Sequence, residues 1–86
     1  MTVRFVGIDP DTDEDHCPTV WVDTQTQELL FQGWKPDTAT VTVCESTSPG
    51  RGSVPESEAI VRIPAQMVPM IREACDAVER GNTELR

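Results

Sequence analysis

The spacing of apolar residues changes once along the chain, near Pro64. Before that point the apolar residues form short runs separated by polar or turn-forming stretches, the signature of strands. Val3 to Ile8 is rich in β-branched residues and stops at Asp9-Pro10, a turn signal. Thr19 to Asp23 places Val20 and Val22 on one face of a strand and Trp21 on the other. The polar Thr24 to Gln27 has hairpin length, and Glu28 to Trp34 returns as a strand containing Leu29, Leu30 and Phe31. Lys35-Pro36-Asp37 breaks it. Ala39 to Glu45 then alternates, with Ala39, Val41 and Val43 against Thr40, Thr42 and Cys44, and reads as the cleanest half-buried strand. Ser46 to Ser57, with Pro49-Gly50-Arg51-Gly52 and Pro55, reads as the most flexible segment, and Glu58 to Ile63 as a fifth strand.

From Pro64 to Arg80, Met67, Val68, Ile71, Cys75 and Val78 recur at spacings of three and four, one apolar helical face. Pro69 inside this stretch implies that the regular helix starts near Val68, with Pro69 in its first turn, or that a looser turn at Pro64–Met67 precedes it. Gly81-Asn82 reads as the stop, leaving 82–86 as a frayed tail. The expected fold is therefore α+β. A small antiparallel sheet of four or five strands carries one C-terminal helix packed on it, within a single domain over 1–81.

Eighty-six residues suffice for one core, with a radius of gyration near 12 Å expected for a compact chain. Seven Lys and Arg against fifteen Asp and Glu leave a formal charge of −8. That field repels phosphate backbones and anionic membranes, which argues against direct nucleic-acid or membrane binding, and it attracts a basic protein. No run approaches a membrane span or a signal-peptide core, so a cytoplasmic location is expected. Cys17, Cys44 and Cys75 are an odd, widely spaced set and read as buried thiols rather than a disulfide framework.

Asp9, Asp11 and Asp13 match the first three ligand positions of a calcium loop, but Glu14 stands where Gly is needed and Val20 where the bidentate Glu belongs. His16 and Cys17 are neighbours, which on a strand point to opposite faces and do not form a nucleophile–base pair. As zinc ligands His16, Cys17, Cys44 and Cys75 lack any short-range pairing. Nucleophile-elbow, phosphate-loop and dinucleotide patterns are missing from the sequence, so no enzyme, metal or cofactor is expected.

A surface remains. If the second and third strands form a hairpin, Trp21, Gln32 and Trp34 can share one side, the composition of an interface hot spot. Trp34 has an alternative place, closing the core. Arg62, Asp11 and Asp13 complete the candidate protein-binding set.

Asp15-His16-Cys17-Pro18-Thr19-Val20-Trp21-Val22-Asp23, Leu30-Phe31-Gln32-Gly33-Trp34 and Glu58 to Met67 together resemble a group of short acidic actinobacterial proteins, typical of Streptomyces. Members are often encoded beside helix-turn-helix transcriptional regulators. The resemblance implies a non-catalytic accessory protein that modulates such a regulator in development or antibiotic production. The expected function is thus binding of another protein, a basic helix-turn-helix regulator, through an acidic and aromatic surface. The alternatives are a small-molecule or metal-ion sensing domain and a self-associating structural protein, a homodimer.

Overall fold

In the computed structural model, which describes residues 2–11, 17–50 and 52–84 with the side chains of 82–84 excepted, three strands pair in chain order. They are β1 (Val3–Ile8), β2 (Thr19–Asp23) and β3 (Glu28–Gln32), antiparallel throughout. Two helices follow, α1 (Thr38–Thr47) and α2 (Val68–Glu84), the second preceded by a 3-10 turn at Ala65–Met67. The fold is α+β, with α2 laid across one face of the sheet.

The β2–β3 hairpin forms where its polar connection predicts. Asp23 stabilises the turn, its Oδ1 accepting the N–H groups of Gln25 at 3.0 Å and Thr26 at 3.2 Å. The N–H of Thr26, followed by those of Gln25 and the hydroxyl of Thr2, holds the Asp23 carboxyl below its usual pKa. Gln27 ends the turn at φ 60°, the left-handed region that L side chains adopt at a cost.

The core lies between the sheet and α2. Val20, Val22, Met67 and Ala74 are buried, with Val6, Leu29, Ile63 and Met70 packed around them. A bulge in β1 between Phe5 and Gly7 turns Val6 toward this core. Gly7 lets α2 lie close, because a Cβ there would stand 2.6 Å from Met70 Sδ and the Met70 side chain would have to shift. Pro69 sits in the first turn of α2, where its missing N–H leaves no bond unmade.

Four sequence expectations are corrected. Ala39–Glu45 is not a strand but most of α1. Its alternation rests on Ala, Val and Thr, which carry too little apolar area to demand a buried face. Local polar bonds decide instead. Asp37 caps the helix, its Oδ1 accepting the Thr40 N–H at 2.8 Å, and the hydroxyls of Thr42 and Thr47 donate to carbonyls one turn back. Glu58–Ile63 is not a strand and contributes only one bridge, at Arg62, so the sheet has three strands rather than four or five. α2 also runs past Gly81 to Glu84, since glycine costs a helix only about 1 kcal/mol and does not by itself stop one. Of the expected tail, residues 85 and 86 lie outside the described residues.

The fourth correction concerns Asp9: the run Asp9 to Asp15, with five carboxylates in seven positions, reads from the sequence as a loop that cannot pack. Asp9 is buried: its N–H donates to the Pro18 carbonyl at 2.9 Å, and its carboxylate accepts the Asp11 N–H at 2.9 Å and Gln66 Nε2 at 3.1 Å. Asp9 therefore ties the end of β1 to the 3-10 turn.

The radius of gyration is 14.8 Å, against about 12 Å for a compact chain of this length. α1 makes no extended contact with the sheet or with α2, which is in keeping with the larger value.

Candidate protein-binding surface

Pairing register assigns each strand residue to a face, because directly opposed residues project to the same side. Val22 opposes Leu29 and Val20 opposes Gly7 on the side that α2 covers. Phe5 opposes Trp21, and Trp21 opposes Leu30, on the other side. This outer row crosses all three strands, with Phe5 57% and Leu30 37% exposed and Trp21 half-buried between them. Val3 and Ile8 extend the apolar surface along β1, at 41% and 44% exposure. At the turn end of the same face Asp23 is the register partner of Glu28, and its carboxylate is taken up by the turn. At the other end Ile8 opposes Thr19, and Thr19 opposes Gln32.

Of the residues expected to bind, Trp21 and Gln32 do share this outer face. Gln32 also holds the backbone at Cys17, just before β2, its Nε2 donating to the Cys17 carbonyl at 3.0 Å. Trp34 lies just past β3, at the sheet end from which the Asp9–Asp11 turn leaves β1, and is 40% exposed rather than closing the core. Its backbone pairs with that of Arg62 in both directions, Trp34 N–H to Arg62 O at 2.9 Å and Arg62 N–H to Trp34 O at 2.7 Å. Gly33 permits this approach, since a Cβ at that position would collide with the Arg62 carbonyl oxygen.

Arg62 acts as a tie. One guanidinium N–H donates to Thr40 Oγ1 at 2.6 Å, joining the Trp34 bridge to α1. Thr40, through its hydroxyl and then its N–H, lowers the Asp37 pKa, with a further contribution from the Arg62 charge. Asp11 is exposed on the loop leaving β1. Asp13 and His16 lie outside the described residues.

Phe5, Leu30, Val3 and Ile8 were missed as surface residues. The alternation of β1 alone could have exposed Val3 and Phe5, but the bulge after Phe5 shifts the parity and brings Ile8, not Gly7, to the outer side. Only the register reveals that.

A second concavity of about 320 Å³ separates α1 from the segment that follows it, lined by Cys44, Glu45, Ser48, Val54, Pro55 and Ile60 among others. Its geometry is held by Glu45, whose Oε2 accepts the Val54 N–H at 2.7 Å, so the segment expected to be most flexible is anchored there. Cys17 is buried beside the sheet, and Cys44 and Cys75 are half-buried on separate helices. Among the described residues no group of three or more His, Cys, Asp or Glu is placed to hold a metal ion, and no helix is long and apolar enough to cross a membrane. No protein-family model, curated protein or solved structure matches the chain.

Proposed function

We propose that this chain is a non-catalytic accessory protein that binds another protein through its acidic and aromatic outer surface. The carrying observation is the apolar row Phe5–Trp21–Leu30 on the face of the sheet opposite α2. Exposed apolar surface rimmed by polar groups is the usual mark of an interaction site.

The rim selects the partner's charge. Asp23 and Glu28 lie at the turn end of the row, Asp11 is exposed on the loop leaving β1 at the other end of the sheet, and the whole chain carries −8, so a basic protein is favoured both in encounter and in docking. A helix-turn-helix regulator is the partner that the sequence resemblance supplies.

The test is titration calorimetry of the purified chain with a basic helix-turn-helix regulator encoded beside it, at about 50 and 300 mM salt. Affinity should fall with salt and should drop about tenfold or more for Trp21→Ala, a hot-spot truncation. Binding indifferent both to salt and to Trp21→Ala would overturn the proposal.

A further inference from the structure

The outer face has dimensions as well as chemistry. Three strands spaced about 4.8 Å apart give a strip roughly 10 Å between the axes of its outer strands. Five residues of β2 and of β3 make it about 17 Å long, with Thr19, in the middle of the far row, buried. That footprint is the width of one α-helix, about 10–12 Å across, and the length of some eleven or twelve helical residues. The opposite face already carries such an occupant, because α2 crosses the same three strands with an apolar stripe containing Met70, Ala74 and Val78.

Charge narrows the occupant further. The residues that register assigns to the outer face include no Lys or Arg. At the turn end Asp23 and Glu28 are register partners on that face, both acidic, with the Asp23 carboxylate held by the turn N–H groups of Gln25 and Thr26, so that end of the face presents negative charge to an occupant. At the far end the chain leaves β1 into the Asp9–Asp11 turn. A second copy of this chain would bring another −8 and the same carboxylate pair to the contact. A basic helix brings the missing cations.

Building on the binding reading above, we infer that the outer sheet face receives a basic amphipathic α-helix of the partner protein. Its apolar stripe covers Phe5, Trp21 and Leu30, and Lys or Arg near one end sits against Asp23 and Glu28. The complex is then a three-layer sandwich with the sheet between two helices.

The experiment uses the full chain, isotopically labelled, and two synthetic peptides of about 14 residues and identical Leu and Lys composition. One places Leu at the i, i+3, i+4, i+7 spacing of a helical stripe, and the other scrambles that spacing. The patterned peptide should bind about tenfold more tightly than the scrambled one, shift the backbone resonances of Phe5, Trp21 and Leu30, and become helical on binding. Phe5→Gln and Leu30→Asp, both at exposed positions on edge strands, should each weaken it about tenfold while leaving the far-ultraviolet circular dichroism unchanged.

Equal, salt-sensitive affinity for both peptides would overturn the helix inference and leave the acidic-surface reading standing. No affinity for either peptide at low salt would overturn both. Resonance shifts confined to the cleft beside α1 would overturn the assignment of the face. Light scattering that finds a dimer, made monomeric by Phe5→Gln, would overturn it in favour of a second copy.

Discussion

The two helices are held in place by different forces. α2 has seventeen residues and an apolar stripe that packs on the sheet, with Ala74 fully buried. α1 has ten residues and buries none of them. Six of the ten are Thr or Val, whose branched side chains cost a helix roughly 0.5 kcal/mol each relative to Ala. Packing sustains α2. Caps, back-bonded hydroxyls and two side-chain ties, Arg62 to Thr40 and Glu45 to Val54, sustain α1. The molecule is therefore a small folded body carrying an arm joined to it largely by polar contacts, and the two regions should respond differently to mutation.

The largest effect belongs to the body. Met67 is fully buried where the 3-10 turn meets α2, and Met67→Ala should cost about 2–5 kcal/mol by removing apolar contacts and leaving a cavity. A domain of this size has about 4–13 kcal/mol in all, so the variant should be partly unfolded or melt more than ten degrees lower. Urea denaturation followed by circular dichroism measures the loss. A midpoint unchanged within error would mean that the core is not where the sheet and α2 place it.

The joint between body and arm comes next. Gly33→Ala sets a methyl against the Arg62 carbonyl, which is backbone and cannot swing aside. The Trp34–Arg62 bridge should open at a cost of about 1–3 kcal/mol. Loss of amide protection at Trp34 and Arg62, with Val20 and Val22 still protected, is the expected exchange pattern. Uniform loss across the sheet would show that the bridge belongs to the same cooperative unit as the core.

This division also explains what the sequence could and could not reveal. β1, β2 and the start of α2 were legible because burial imposes a period, and Val20, Val22, Met67 and Ile71 obey it. α1 was not, because its order comes from Asp37 and from threonine hydroxyls, and an alternating Thr-Val sequence satisfies a strand template without any buried face. The Asp9–Gln66 contact spans 57 positions and joins two polar residues, so no local pattern announces it. In the binding surface, Trp21 and Gln32 could be paired by parity, whereas Ile8 could be placed only once the bulge was known.

The smallest effect should be confined to the arm. Asp37→Ala removes the acceptor of the Thr40 N–H and should speed amide exchange several-fold across residues 38–47 while leaving the melting temperature nearly unchanged. Acid should mimic the substitution, and the direction follows from the carboxyl's lowered pKa. Unfolded, Asp37 titrates at its ordinary value of 3.8, while in the capped helix its pKa is lower, chiefly because the Thr40 hydroxyl and N–H bond to the ionised form. Its contribution to α1 is therefore complete at neutral pH, declines as the pH falls through 3.8, and is gone below the depressed folded value. Exchange in α1, corrected for the intrinsic pH dependence of amides, should accelerate over that interval in the wild type and show no corresponding step in Asp37→Ala. An identical pH profile in the two proteins would mean that the arm is held by its contacts to Arg62 and Val54 alone.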